Sequence, residues 1–433
     1  MEEFRKYAGE MLDFIERSPS CFHAVANVAE MLKAQGFREL KESEDWEFSR
    51  GEGLYVIRND SSLIAFRMPT APKNWESPQG FHIVASHSDS PSFKVKEDPE
   101  MAVEEHYLKL NTEKYGGMLL SSWMDRALSV AGRVAVRDGN DVKAMLVNLD
   151  RDLLVIPNLA IHMNREMNKG VEYNPQVDML PLYADCSQGE KKDILRERIA
   201  QELGVLKEDI LGQDLFLYVR DKGRILGENG EYVLSPRLDD LQCVFSSVKG
   251  FLEGKSSRYI NVCAVFDNEE VGSGTRQGAD STFLEDTLLR VAQGLGENHG
   301  EFLRLVAGSF LISADNAHGV HPNHPEKADP TNRPYLNGGI VLKYHGSQKY
   351  TTDAMSGAKI RSLCEKAGIP CQTYANRSDV PGGSTLGNIS TAHVSVESAD
   401  IGLPQLAMHS AVETAGVKDT KYAVELFRAF YQQ

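Results

Sequence analysis

The sequence predicts an α/β protein, with a mixed sheet flanked by helices and a second, β-rich domain inserted into it. Apolar runs of strand length alternate with helical patterns, which is typical of a sheet with substantial parallel character. The stretch from about residue 94 to 236 differs, because it contains short β-like pieces separated by turns. We therefore expect one domain formed by 1–93 plus 237–433 and an inserted β-rich domain at 94–236.

The first residues predict two helices. The first helix has an apolar stripe at helical spacing, formed by Phe4, Met11, Leu12 and Ile15. The second is expected over residues 23–35, where Gly36 would end it. A hairpin-like segment follows at 53–68, and further helical patterns follow Asp239 and span 353–367 and 419–431.

Four later segments are predicted to be strands that end in polar residues. They read FHIVASHSDSPS, YINVCAVFDNEEVG, FLISADNAHG and HVSVESADIG. Ligands of open parallel sheets bind at the carboxyl ends of strands, so the four polar clusters predict one convergent site.

The inserted region is predicted to be mainly β-structure. Its apolar pieces AMLVNL, LLVIPNLAI and LFLYV read as strands, and one helix is expected near 194–203. Candidate ligands His87 and Asp239 lie just outside its two ends.

Composition argues against several classes of protein. The chain has 433 residues and a formal net charge of −15, which disfavours nucleic acid or an anionic membrane as the main partner. The N-terminus lacks the basic and apolar regions of a signal peptide, and no apolar run has the length of a membrane span. Six scattered cysteines without a CxxC pair fit reduced thiols, so we expect a cytoplasmic protein.

Two motifs after predicted strands carry acids and a histidine. His87 and Asp89 are two residues apart, so the carboxylate could orient an imidazole that binds a metal; a loop hydrogen bond is the alternative. Glu269 and Glu270 are adjacent carboxylates before a glycine-rich turn. One could bind a metal while the other acts as a general base, or both could face solvent at a helix N-terminus.

Further candidates come from three other segments. Asp239 and Asp240 begin a predicted helix and could instead be N-caps. Asp315 ends a strand before a loop that contains His318, His321 and His324, and His409 precedes the last helix, where a buried structural histidine is the alternative. Together, two histidines and three acids form a nitrogen and oxygen ligand set suited to a pair of zinc or manganese ions: His87, Asp239, Glu270, Asp315 and His409.

With these residues identified, the chain closely resembles the aspartyl aminopeptidase family of metallopeptidases, nearly end to end. The motifs that carry the resemblance are SPSCFHAV, ASHSDSPSFKVK, SSWMDRALSVAGRV, IPNLAIHMNRE, SPRLDDL, FDNEEVGSGTRQGA, ISADNAHGVHPNHPEK, RSDVPGGSTLG and LPQLAMHS. Some relatives have Asn where this chain has Asp240.

The resemblance implies a role for each candidate. Asp239 would bridge two divalent ions, most simply Zn²⁺, with Mn²⁺ or Co²⁺ as alternatives. His87 and Asp315 would be the other ligands of one ion, and Glu270 and His409 would be the other ligands of the second. Glu269 would be the general base, and Asp89 would orient His87.

The resemblance also implies assembly and substrate. The inserted domain would mediate dimerisation, and family members are commonly dodecameric shells in which a histidine matching His162 reaches a neighbouring active site. The substrates would be peptides with acidic N-terminal residues, bound by Lys343 with Tyr350 and His318 nearby; a surface position for Lys343 is the alternative.

Other functions stay open at this point. The same chemistry could favour neutral residues such as Leu, or could serve a related two-metal deacylase or carboxypeptidase. A scaffold shell with structural metals would have no need for Glu269 as a base. A nucleotide site at Gly272-Ser-Gly274 is rejected, because its spacing is not GxGxxG and the preceding glutamates would repel phosphate.

Overall fold

The computed structural model describes residues 1–70, 78–186, 192–256 and 258–433. Its α-helices are, in chain order, α1 (Glu2–Glu16), α2 (Cys21–Ala34), α3 (Ile194–Leu203), α4 (Leu238–Glu253), α5 (Phe283–Gly294), α6 (His299–Ala307), α7 (Ala354–Ala367), α8 (Leu386–His393) and α9 (Asp419–Tyr431). The helices expected in the first forty residues, after Asp239, and near 194–203, 353–367 and 419–431 are therefore confirmed.

The strands of the first half of the chain are β1 (Arg38–Leu40), β2 (Gly53–Arg58), β3 (Ser62–Arg67), β4 (Gly80–His87), β5 (Ser92–Val103), β6 (Tyr107–Tyr115), β7 (Leu128–Asp138), β8 (Asp141–Asn148), β9 (Leu182–Asp185) and β10 (Ile210–Val219). Those of the second half are β11 (Arg224–Leu226), β12 (Tyr232–Ser235), β13 (Tyr259–Phe266), β14 (Phe310–Ala314), β15 (Ala317–His318), β16 (Ile340–Tyr344), β17 (Cys371–Ala375), β18 (Glu397–Gly402), β19 (Pro404–Leu406) and β20 (Glu413–Gly416).

The chain divides into two compact units. The first comprises Met1–Asp89, Gly223–Met408 and Glu413–Gln433, and the second comprises Ser90–Lys222 and His409–Val412. Within the described residues, the first unit has a mixed nine-stranded sheet in the order β1-β2-β3-β13-β4-β14-β18-β16-β17 and a five-stranded sheet in the order β11-β12-β20-β19-β15. The predicted fold class, a mixed α/β sheet flanked by helices, is confirmed.

The centre of the nine-stranded sheet is buried on both faces, which explains its continuous apolar runs. In β4, Val84 joins a core with α1, α2, α4, α7 and α9, whereas Ile83 and Ala85 join a core with α5, α6 and α8. Parallel neighbours β13, β4 and β14 therefore lie between two helical layers, and their carboxyl ends lie at one edge.

Side chains at the helix ends account for two helix starts. The Ser20 side chain accepts the backbone N–H of His23 at the start of α2. Asp353 and Ser356 form a reciprocal capping box at the start of α7. These caps place the helix starts at Cys21 and Ala354.

The second unit contains a six-stranded sheet in the order β8-β7-β10-β5-β6-β9, in which all pairings are antiparallel. The predicted helix near 194–203 is α3. The strand predicted for LLVIPNLAI is wrong, because this segment pairs only through isolated bridges at Leu154 and Val155. Pro157 lacks a backbone donor, which disfavours continuation of a ladder.

The prediction that HVSVESADIG is a strand ending in polar residues is also wrong in where the strand begins and ends. His393 belongs to the end of α8, and the strand is the later segment Glu397–Gly402. Asp400 therefore lies inside β18 and not at a polar strand end. Among the described residues, no helix is both long enough and apolar enough to cross a membrane.

Candidate metal centre

Three neighbouring strands bring acids and a histidine to one edge of the nine-stranded sheet. Phe266, the last residue of β13, is paired with His87, the last residue of β4. On the other side of β4, β14 runs parallel and ends just before Asp315. The residues after these strand ends therefore emerge side by side, as the sequence predicted for these three of its four clusters.

The N-terminus of α4 adds two more carboxylates to this group. Nε2 of His87 lies 3.4 Å from Oδ1 of Asp239 and 3.9 Å from Oδ1 of Asp315. Potential ligand atoms of His87, Asp239, Asp240 and Asp315 all lie within 4.8 Å of one another. The same limit holds for His87, Glu269 and Glu270.

Asp239 and Asp240 lie at a kink in the first turn of α4, and their backbone angles are not helical. No side chain forms a capping hydrogen bond at Arg237, the residue before this first turn. Asp239 and Asp240 are 3% and 0% exposed, and Oδ2 of Asp240 accepts the backbone N–H of His87 at 3.2 Å. Both carboxyl groups therefore face the protein interior near the histidine.

Asp89 connects the histidine with the two glutamates. Nδ1 of His87 lies 3.1 Å from the backbone oxygen of Asp89 and 3.4 Å from its carboxylate. The same carboxylate accepts the backbone N–H groups of Glu269 and Glu270, both at 3.2 Å. One buried acid thus fixes the turn that carries both glutamates and lies against the imidazole.

The turn at residues 268–273 has an irregular backbone. Asn268 and Ser273 adopt positive φ angles of 62° and 61°, and Gly272 has a φ of 95°. Glycine tolerates such a conformation without strain, whereas the other two residues must be held there by their surroundings. The glutamates are therefore not the start of a solvated α-helix.

The excess of carboxylates perturbs the protonation of the cluster. Burial raises the pKa of Glu269 to about 8, with the Asp315 and Asp89 carboxylates adding to the effect and His87 opposing it. Burial and the Asp239 carboxylate also raise the pKa of Glu270. Although burial alone lowers it, the Asp240 and Asp239 carboxylates hold the pKa of His87 well above its usual value.

A divalent cation fits this cluster. The donor set consists of one imidazole and several carboxylates, which are ligands that Zn²⁺, Mn²⁺ and Co²⁺ accept in proteins. Buried carboxylates within a few ångströms of one another are costly unless a cation offsets their charge. The side chains of the first unit that could hold such an ion are His87, Asp239, Asp240, Asp315 and Glu270.

Lys343 lies beside this cluster and not on the surface. The residue is 2% exposed, and its Nζ lies 3.4 Å from Oδ2 of Asp315 and 5.5 Å from the ring centre of Tyr350. Although burial opposes it, the Asp315 carboxylate raises the pKa of Lys343. The predicted alternative of a surface lysine is therefore wrong.

Aromatic side chains surround this lysine on one side. The ring of Tyr374 lies 6.4 Å from that of Tyr350 and 6.1 Å from that of His318, which is itself exposed. Sequence reasoning missed Tyr374, although it is paired with Lys343 in the register of β17 and β16. No alternating pattern in CQTYA, the sequence of β17, marks Tyr374, so its position follows only from the pairing of the two strands.

Four further histidines were singled out from the sequence: His162, His321, His324 and His409. His321 and His324 are exposed, and in the part of the chain that the structure describes neither belongs to a group of possible metal ligands. His162 is exposed in the second unit. His409 also belongs to the second unit, where its carbonyl oxygen accepts the N–H of Leu119 at 2.9 Å.

Asp400 was predicted at a convergent strand end but has a different environment. It is fully buried within β18, where Oδ2 accepts the N–H and hydroxyl of Thr351 at 2.6 and 2.9 Å and Oδ1 accepts the hydroxyl of Thr385 at 2.6 Å. This carboxylate joins two segments of the first unit and is not among the candidate ligands.

Comparison with protein families gives a match over almost the whole chain. A family model described as aminopeptidase I zinc metalloprotease (M18) matches residues 14–431. A probable M18 family aminopeptidase 2 of Clostridium novyi is 47% identical over 98% of both chains. A protein of the same description from Clostridium acetobutylicum is also 47% identical, over 100% of both chains.

Solved structures give the same result. A chain from the cryo-EM structure of the Ape4 and Nbr1 complex matches with a TM-score of 0.95 and 36% identity, covering 99% of this chain and 86% of that one. The structure of the Saccharomyces cerevisiae mApe1 dodecamer matches with a TM-score of 0.86 and 27% identity, covering 99% of this chain and 97% of that one.

Proposed function

The chain belongs to the M18 family of zinc metalloproteases and is a zinc-dependent aminopeptidase, and from this premise we propose that two divalent ions serve its active site and that acidic N-terminal residues are preferred. The observation that carries the proposal is the convergence of His87, Asp239 and Asp315 with Glu269 and Glu270 at one sheet edge. Buried, mutually repelling acids in a strand-end site are typical of a functional metal centre.

We assign the ligands as the resemblance implies. Asp239 would bridge both ions, with His87 and Asp315 on the first and Glu270 and His409 on the second. The burial of His87 and Asp239 and the short distances among the ligands in the first unit support this assignment. Zn²⁺ is the proposed ion, since the family is a zinc family, and Mn²⁺ and Co²⁺ accept the same donors.

Divalent ions bound there would act as Lewis acids and lower the pKa of an attacking water. Glu269 would accept the proton of that water and return it to the leaving amine, which is the role of a general base and then a general acid. Asp89 would hold the Glu269 backbone and the imidazole of His87 during these steps.

The preference for acidic N-termini rests on Lys343. Its buried ammonium, held beside Asp315 and Tyr350, is a cation within the same unit as the proposed ligands. An ammonium shielded from water attracts a substrate carboxylate more strongly than an exposed one. Tyr350 and His318 are proposed as substrate contacts, and Tyr374 lies between them.

Self-association is proposed for the second unit. Leu159, Ile161 and Met163 are 50%, 45% and 75% exposed, and such a run of exposed apolar side chains is typical of an interaction surface. His162 lies within this run, and its proposed role is to reach the active site of a neighbouring copy. A dodecamer, as in the solved mApe1 structure, is the proposed assembly, and the cytoplasm the proposed location. Analytical ultracentrifugation tests the assembly, and a monomeric sedimentation coefficient would contradict it.

The specificity is tested with matched chromogenic substrates that release Asp, Glu or Leu. A lost ion pair with the substrate carboxylate is worth about 1.5–3 kcal/mol, so Lys343→Met should lower kcat/KM for Asp relative to Leu by about 10- to 100-fold. Lys366→Met, at an exposed position of α7, is the matched control and should leave the ratio unchanged. An equal decrease of kcat/KM for the Asp and Leu substrates would mean that Lys343 does not bind the substrate carboxylate.

The same assay separates the alternative functions. If the Leu substrate is cleaved fastest, the aminopeptidase reaction stands, but the enzyme prefers neutral N-terminal residues to acidic ones. Hydrolysis of N-acylated or C-terminal substrates, with none of free N-termini, would indicate a deacylase or carboxypeptidase. No hydrolysis by a zinc-loaded protein would indicate a scaffold.

A further inference from the structure

The peptide group between Leu238 and Asp239 is held by side chains at both of its polar atoms. The carbonyl oxygen of Leu238 accepts a hydrogen bond from Nδ2 of Asn316 at 3.0 Å. The N–H of Asp239 donates to Oε2 of Glu413 at 3.0 Å. Asn316 and Glu413 are each only 2% exposed, so both bonds are made away from solvent.

Asn316 is fixed by its own neighbours. Its backbone follows Asp315, whose N–H donates to the carbonyl of Ile401 at 3.1 Å. Its Nδ2 also donates to Oε1 of Gln405 at 3.0 Å, and its Oδ1 accepts the thiol of Cys243 at 3.3 Å. Because the Leu238 carbonyl can only accept, the amide nitrogen must face it, which fixes the orientation of the Asn316 side chain.

Glu413 is equally constrained. It is the first residue of β20, where it is paired with Ser235 of β12. Its carboxylate therefore approaches Asp239 from a strand whose backbone is held in a sheet. Asn316 and Glu413 come from different segments of the chain and converge on one peptide group of the first unit.

This peptide group needs such support because the backbone that follows it is irregular. Asp239 has φ −82° and ψ 106°, and Asp240 has φ −120° and ψ 19°, which are not helical angles although both residues lie in the first turn of α4. The first N–H groups of a helix have no partner within it. The orientation of the 238–239 peptide fixes the position of the Asp239 backbone nitrogen, from which its side chain extends.

We propose that Asn316 and Glu413 are positioning residues that clamp the 238–239 peptide and thereby hold the Asp239 carboxylate where it binds metal. Since Asn316 directly follows Asp315, the clamp also fixes the spacing between two ligands of the same ion. The inference rests on the proposed function, in which Asp239 and Asp315 are metal ligands. Residues behind metal ligands typically contribute about 10- to 100-fold to metal affinity.

The test measures zinc affinity of the full-length protein by competition with a chromophoric chelator. Asn316→Ala and Glu413→Ala should each weaken zinc binding by about 10- to 100-fold. Glu413→Gln should stay near the wild-type affinity, because its amide oxygen can still accept the Asp239 N–H. Alanine is used at 316 because a new carboxylate there would itself attract the cation.

Asn261→Ala is the matched control. Asn261 is a buried amide of the same unit, 1% exposed, whose Nδ2 donates to the carbonyl of Tyr431 at 2.9 Å. Its replacement also removes a hydrogen bond from a side-chain amide to a backbone carbonyl, but near the start of β13, away from the proposed metal ligands. The stability of Asn261→Ala should therefore fall while its zinc affinity is unchanged. If Glu413→Ala does not fold, the zinc affinities of Asn316→Ala and Asn261→Ala are compared instead. Weaker zinc binding in Asn316→Ala alone would support the clamp, and equal affinities would contradict it.

Asp239→Ala separates this inference from the function on which it rests. If Asp239→Ala binds zinc as the wild type does, the proposed metal site is wrong. If Asp239→Ala loses zinc while Asn316→Ala and Glu413→Ala bind like Asn261→Ala, the metal site stands and the clamp is wrong. Weaker zinc binding in both Asn316→Ala and Glu413→Ala, with wild-type zinc affinity in Glu413→Gln, would support the clamp.

Discussion

His82 provides a test of the packed core at the end of β4 remote from the ligands. The residue is 4% exposed, and its ring is stacked between Tyr259 and Phe430, with ring centres 3.7 and 4.5 Å away. Burial lowers the pKa of His82 to about 3, opposed only by a hydrogen bond with the backbone of Phe430. The perturbation is His82→Phe, which keeps an aromatic ring in the stack and removes the titrating group.

The sign of the effect follows from the two pKa values. The unfolded chain protonates this histidine below its usual pKa of about 6.5, whereas the folded protein does so only near pH 3. Between these values, acid favours the unfolded chain, and stability falls by about 1.36 kcal/mol per pH unit. From pH 7 to pH 5, His82 therefore accounts for a loss of about 2 kcal/mol.

The assay is urea unfolding at pH 7 and pH 5, followed by circular dichroism. His82→Phe loses its hydrogen bond at both pH values, which cancels in the difference, so its free energy of unfolding should fall by about 2 kcal/mol less than that of the wild type. Phe310→Leu, a neighbouring substitution that carries no titrating group, should retain the wild-type pH dependence. An unchanged pH dependence in His82→Phe would refute the reasoning.

Three further predictions concern the metal centre and the core. Glu269→Gln should lower kcat by about 10²- to 10⁴-fold with zinc content unchanged, since it keeps the shape and removes the base; full turnover would exclude that role. Asp89→Ala should weaken zinc binding by about 10- to 100-fold in the same chelator competition, because the 269–270 turn loses its acceptor; wild-type affinity would contradict this. Phe251→Ala, at a fully buried ring, should cost about 3–5 kcal/mol in urea unfolding, and a cost below about 1 kcal/mol would contradict the assigned packing.

Much of this architecture could be predicted because local patterns agree with tertiary packing. Apolar runs buried on both faces identify β4, β13 and β14, and the residues at or shortly after their ends include His87, Glu269 and Asp315. The parallel arrangement alone makes these ends coincide. The grouping of these side chains at one sheet edge could thus be predicted from the order of strands and polar residues.

Features that depend on contacts between distant segments could not be predicted. Asn316 and Glu413 meet the same peptide group, yet nothing in their local sequence distinguishes them from other polar residues near strand ends. Asp400 follows a run with strand character but lies within its strand, because the pairing of β18 with β14 begins only at Glu397. Pairing partners set the register, and a single strand does not contain that information.

The central claim is that the cluster around His87 and Asp239 is the metal centre of the aminopeptidase. The most direct measurement strips the protein with a chelator, titrates zinc back, and records bound zinc per chain together with release of the N-terminal residue. We expect two zinc ions per chain, recovery of cleavage as they bind, and loss of both zinc and cleavage in Asp239→Ala. Cleavage by the stripped protein, or wild-type zinc content and cleavage in Asp239→Ala, would contradict it.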